Sequence, residues 1–156
     1  MKITEFLNEG AVSCEVRAEN KEGVIRELAG LLVKSGAIKD RDLQQLVHIL
    51  LEREALGSTG IGQGVAIPHG KTDVVAQLVG AVGVSRHGLN FDSLDGERTH
   101  IFFLLVAPED SAGPHLKALA RISRLLKERH FRESLLAAKD EKALLRILRE
   151  EDQREH

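Results

Sequence analysis

The stretch GVAIPHGKT, residues 64–72, closes a glycine-rich run, GSTGIGQGVAIPHGKT, that opens at Gly57. Two chemistries compete for it. The first is a nucleotide phosphate loop, which wants glycine, four residues, then Gly-Lys-Ser/Thr. Counting back from Gly70-Lys71-Thr72, the leading glycine falls on Val65, and Gly64 is one place too early. Pro68 also removes a backbone N–H that bound phosphates need. The dinucleotide fingerprint fails at the same residue, because Gly60-x-Gly62 requires glycine or alanine where Val65 stands. The second chemistry is nucleophilic. A proline ending a short strand holds the next residue, His69, at a stiff position, and Gly70 behind it leaves room for another surface. A neutral imidazole takes up a phosphoryl group without a separate base, provided cations or N–H donors receive the charge on its oxygens. Lys71, Arg53 and the amides of the glycine-rich loop are the candidates for that task. Residue types alone leave Pro-His-Gly open as a plain turn.

These residues need elements to position them. Val12, Cys14, Val16 and Ala18 in VSCEVRA alternate with polar partners, the period of a half-buried strand. After Asn20, a good N-cap, Ile25, Leu28, Leu31 and Leu32 recur at helical spacing towards a stop at Gly36. Leu43, Leu46, Val47, Leu50 and Leu51 mark a second helix, with Asp40 as candidate cap and Gly57 as its end, so Arg53 falls near its last turn. VAI at 65–67 and QLVGAVGVSR at 77–86 read as strands, the first cut by Pro68. FDSLDGE is turn-rich, and HIFFLLVAP at 100–108 is apolar enough for a strand covered on both faces. Pro114 opens a third helix carrying Leu116, Leu119, Ile122 and Leu126; helical segments near Phe131–Ala138 and Glu141–Arg149 follow. Residues 149–156 read as a frayed, solvated tail. This order predicts an α/β fold with one central sheet in a single domain.

Composition narrows the function classes. The 156 residues suit one compact domain, and 42% hydrophobic residues supply a core. A net charge of -2 and 3% aromatics, with no Trp or Tyr, provide neither general attraction to nucleic acid nor stacking platforms. One cysteine, Cys14, allows no internal disulfide and fits a reducing compartment. The opening MKITEFLNEG has no signal core and no apolar run nears membrane length, so the expectation is a cytoplasmic chain without direct membrane insertion.

LEREALGSTGIGQGVAIPHGK resembles the phosphorylation-site region of the type-2 IIA domains of the bacterial phosphoenolpyruvate-dependent phosphotransferase system, the fructose–mannitol–nitrogen group. The matching pattern is Arg53-Glu54, Gly57-Ser58-Thr59-Gly60, Ala66-Ile67 and Pro68-His69. LNFDSLDGERTHIFFLLVAPE and HLKALARISRLL extend the likeness, which covers about Ile3 to Leu148. The resemblance implies a domain over residues 3–148 whose mixed sheet is flanked by helices on both faces. It implies His69 as phosphorylated histidine, Arg53 as the arginine facing the phosphoryl group, and His115 as the supporting histidine on the next helix. The donor it implies is an HPr-type phosphocarrier; the acceptor is a IIB domain or a regulated target. The nitrogen-regulatory branch is the main expectation, with a fructose or mannitol transport IIA as runner-up. A binding regulator that is never phosphorylated is the reading from another class.

The remaining candidates are weaker. His115 follows Pro114 in the first turn of a helix, where a neutral ring could bond a phosphoryl oxygen or simply sit in a cap. His48 reads as partly buried packing in mid-helix. His87, His100, His130 and His156 stand singly, and no histidine pair has helical zinc spacing, so no metal and no cofactor is expected. Ser58 lacks the elbow of a serine nucleophile.

Overall fold

The computed structural model describes residues 1–154. A 3-10 turn at Ile3–Glu5 leads into β1 (Leu7–Ser13), followed by α1 (Lys21–Lys34) and α2 (Leu43–Ala55). Three short strands, β2 (Gly60–Gly62), β3 (Val65–Ala66) and β4 (His69–Lys71), precede the long β5 (Val79–Leu89) and β6 (Thr99–Ala107). The chain then forms α3 (Ala112–Leu126), α4 (Arg129–Ala137) and α5 (Glu141–Gln153). The strands form one mixed sheet in the order β1-β5-β6-β3-β2, with β4 also paired to β6. β5 and β6 are antiparallel; β1 runs parallel to β5, and β3 and β4 run parallel to β6.

The apolar run of β6 divides by the period of two. Ile101, Phe103 and Leu105 join Ile122, Leu126, Leu144 and Leu148 on the face covered by α3–α5. Phe102, Leu104 and Val106 join Ile25, Leu28, Leu46 and Leu50 on the face covered by α1 and α2. A strand covered on both sides has no polar face to show, hence its sequence. Asn20 caps α1 by accepting from Gly23 N–H at 2.7 Å, and Gly36 leaves that helix with φ +85. Among the described residues, no helix is long and apolar enough to cross a membrane.

Four expectations change. β1 begins earlier than VSCEVRA and ends at Ser13. The alternation read there survives as burial of Val12, Cys14 and Val16, because the chain continues along β5 with Val16 N–H donating to the Val84 carbonyl at 2.9 Å. Asp40 opens a 3-10 turn, and α2 starts at Leu43 without a side-chain cap. His48 is exposed and pairs with Glu52 at 3.1 Å instead of packing. The tail expected from Arg149 is helical to Gln153, and Asp152 is buried with its carboxylate on the amides of Ile3 and Thr4, both at 3.0 Å. His156, read as part of that tail, lies outside the described residues.

Candidate functional site

Pro68 carries the chain from β3 into β4, and its carbonyl accepts from Leu105 N–H at 3.0 Å, so the turn is fastened to β6. His69 is therefore the first residue of a strand, registered opposite Leu105, rather than a loop-end residue. Its ring is half-buried and its Nδ1 lies 2.7 Å from the Ile67 carbonyl oxygen. A carbonyl only accepts, so Nδ1 carries the proton and Nε2 keeps its lone pair. Burial holds the His69 pKa below the usual value; the Ile67 bond opposes this, the Arg53 charge adds to it and Glu54 opposes it. The ring is thus neutral near pH 7.

Helix α2 reaches this point because Gly70 has no side chain. A Cβ there would sit 3.1 Å from Ile49 Cγ2 and 3.5 Å from Leu50 Cδ2. The last turn of α2 consequently brings Arg53 within electrostatic reach of His69. Arg53 Nη1 donates to the Gly57 carbonyl at 2.8 Å, which anchors one edge of the guanidinium.

His115 sits at the fourth residue of α3, and its N–H closes the first helical bond onto Ser111 at 3.0 Å. Its ring meets that of His69 edge-on, with centroids 5.5 Å apart and planes at 65°. His115 is only 6% exposed, and its Nε2 is buried without a hydrogen-bond partner. Its pKa is lowered to about 4 by burial, then by the charges of His69 and Lys71. Lys71, two residues beyond His69 on β4, is exposed. The structure therefore gathers His69, Arg53, His115 and Lys71 at one end of the sheet. His87, His100 and His130 have no part in it. His100 is engaged elsewhere, with Nδ1 3.0 Å from the Ser85 carbonyl oxygen.

The sequence offers the glycine-rich loop, Gly57, Ser58, Thr59 and Gly60, as a support for the site and its amides as phosphoryl donors. Those amides are engaged within the protein: Gly57 N–H donates to the Glu54 carbonyl, Thr59 N–H to Glu54 Oε1 and Gly60 N–H to Ser58 Oγ. These three are not free to hold a phosphoryl group. Ser58 Oγ donates to the Phe91 carbonyl at 2.6 Å, and Gly60 leaves no room for a Cβ beside Ser93. The side chain at the centre is Glu54, for which no role emerged from the sequence. It is 6% exposed, accepts from Thr59 N–H and Oγ1, and lies 3.1 Å from Lys21 Nζ. The signal was available: Glu54 extends the buried stripe Val47, Leu50 at helical spacing, and a carboxylate on a core stripe needs partners. Among the described residues, no group of three or more His, Cys, Asp or Glu side chains could hold a metal ion.

A histidine with one nitrogen committed, a second buried histidine and an arginine have the chemistry that suits an anionic group. Comparison with known proteins gives that class a family. The profile described as "Phosphoenolpyruvate-dependent sugar phosphotransferase system, EIIA 2" matches residues 5–151, and the chain belongs to this family. It is 35% identical to a nitrogen regulatory protein of Bradyrhizobium diazoefficiens over 95% of each chain. It is 40% identical to a fructose-specific EIIABC component of Bacillus subtilis over 97% of this chain, but spans only 24% of that protein. The crystal structure of the nitrogen regulatory protein IIA-Ntr from Neisseria meningitidis superposes with a TM-score of 0.84 at 32% identity, covering 94% of this chain and 98% of that one. The protein is thus a phosphotransferase-system component of the IIA type, related to both nitrogen-regulatory and fructose-specific members.

Proposed function

We propose that His69 accepts a phosphoryl group on Nε2 from an HPr-type phosphocarrier and that the phosphorylated chain acts as a nitrogen-type regulatory IIA. The observation that carries this reading is the 2.7 Å contact between His69 Nδ1 and the Ile67 carbonyl. It fixes the tautomer before the donor arrives, which removes a step from the reaction. The Nε2 lone pair attacks phosphorus in line, and the bond from phosphorus to the donor nitrogen breaks with its electron pair returning to the donor. The product ring is cationic with Nδ1 still protonated, and the Ile67 carbonyl faces that proton. Arg53, held by Gly57, offers its remaining N–H donors to the phosphoryl oxygens. The unpartnered Nε2 of neutral His115 gains its missing bond by donating to a phosphoryl oxygen, which requires the tautomer with the proton on Nε2. Lys71 adds positive charge at the rim.

The regulatory assignment is supported by likeness to the Bradyrhizobium nitrogen regulatory protein along nearly all of both chains. The Bacillus relative favours a second reading, because its name joins an A component to B and C components for fructose. In that case His69 hands its phosphoryl group to a IIB domain. Incubation with phosphoenolpyruvate and purified carrier proteins, followed by intact-mass measurement, tests the acceptor role. The expected result is one acid-labile phosphate per chain, absent in His69→Ala; an unmodified wild type favours a binding-only regulator. Adding a fructose-type IIB domain then separates the branches, since rapid loss of the phosphate to IIB supports sugar transport.

A further inference from the structure

The geometry points to Lys21 as a positioning residue for phosphoryl transfer, acting through the buried carboxylate of Glu54 on the loop that holds Arg53. The inference rests on His69 being the phosphoryl acceptor. Glu54 follows Arg53 on α2, and its side chain is 3% exposed. Its two oxygens have separate duties. Oε1 receives both Thr59 N–H, at 3.0 Å, and the Thr59 hydroxyl. Oε2 faces Lys21 Nζ at 3.1 Å. From there the connection runs through the turn at Thr59 to the Gly57 carbonyl, which accepts from Arg53 Nη1 at 2.8 Å.

Electrostatics give the lysine its purpose. A carboxylate is a strong anchor for the loop, but it is a liability beside a centre that must receive a doubly negative phosphoryl group. Its influence reaches His69, whose proton affinity it raises. A buried carboxylate without a counter-charge either takes up a proton, weakening its hold on Thr59, or stays ionised and repels the incoming group. Lys21 prevents both. It is the first residue of α1, so its backbone is set by a different helix from the one carrying Glu54. Its ammonium is also fixed by Asp92 Oδ2 at 3.0 Å and lies 5.0 Å from the centre of the buried Phe91 ring. Phe91 in turn receives Ser58 Oγ on its carbonyl, so both ends of the bridge touch the same loop. A surface ion pair is weak because water competes for it, whereas this lysine is 22% exposed and its partner 3%.

The test is a double-mutant cycle read as transfer kinetics from the phosphorylated carrier. Lys21→Met is expected to lower the maximum rate about tenfold, the scale for a misplaced charge-stabilising group, with less than about a twofold change in half-saturating carrier concentration. Lys21→Arg keeps the charge and is expected to restore most of the rate. In the Glu54→Gln background, where no charge needs balancing, the same Lys21→Met change is expected to cost less than about twofold. Lys21→Gln replaces the methionine variant if that one fails to fold, with thermal midpoints recorded for all. A wild-type rate in Lys21→Met overturns the inference. So does an equal loss in both Glu54 backgrounds, or a loss confined to carrier affinity. Wild-type phosphorylation and its absence in His69→Ala are measured alongside, so failure of the acceptor assignment is seen separately.

Discussion

At the scale of single residues the site is made of two histidines that burial keeps neutral. Burial lowers the pKa of both, and His115, at about 4, also faces the charges of His69 and Lys71. The linkage has a definite sign. Unfolded histidine titrates at 6.5, above the folded value, so between 6.5 and about 4 the unfolded chain binds more protons. Stability is full above 6.5 and is lost as pH falls through that window. His115→Gln is expected to flatten the dependence, measured by urea unfolding at pH 7 and pH 4.5. An unchanged difference between the two pH values would show that folding leaves the proton affinity of His115 unaltered. His69 and Arg53 stood out in the sequence because proline, glycine and a helix end bracket them. Glu54 did not, since its role depends on Lys21, a residue 33 positions away in the chain and close only after α1 and α2 pack.

At the scale of elements, the site depends on how closely α2 approaches β4. Gly70→Ala places a methyl 3.1 Å from Ile49 Cγ2. The helix must shift by a few tenths of an ångström, and overpacking of this kind costs about 1 kcal/mol. Because Arg53 rides on that helix, transfer from the carrier is expected to slow as well, and Ile49→Val in the same chain is expected to recover part of both losses. Thermal unfolding and transfer rate check the two expectations; a variant as stable and as fast as wild type contradicts the close approach. The same elements mark what was legible. β6 was readable from its unbroken apolar run and α1 from its cap and period. β4 was not, because His69-Gly70-Lys71 has no strand pattern of its own and is a strand only through pairing with β6. The polar end of α5 misled for a related reason: Asp152 looks solvated in sequence, yet it is buried where the other terminus supplies its donors.

At the scale of the whole molecule, the 3-10 turn at Ile3–Glu5 and the last turn of α5 are fastened to each other on the α3–α5 side of the sheet. Asp152 accepts from the Ile3 and Thr4 amides and lies 3.1 Å from Arg121 Nη2 on α3. Its side chain is fully buried, so Asp152→Ala leaves two amides and an arginine short of partners. A loss of about 3 kcal/mol in unfolding free energy is expected, with transfer by the folded fraction unaffected because the site lies elsewhere. A loss below about 1 kcal/mol in urea titration contradicts the clasp. The central claim concerns one atom, His69 Nε2, presented by a fold that fixes the opposite nitrogen. Long-range proton–nitrogen NMR on the chain phosphorylated from phosphoenolpyruvate and its carriers tests that claim most directly. The predicted spectrum has phosphate on Nε2 of His69 and a proton retained on Nδ1; phosphate on Nδ1, or on any other residue, contradicts it.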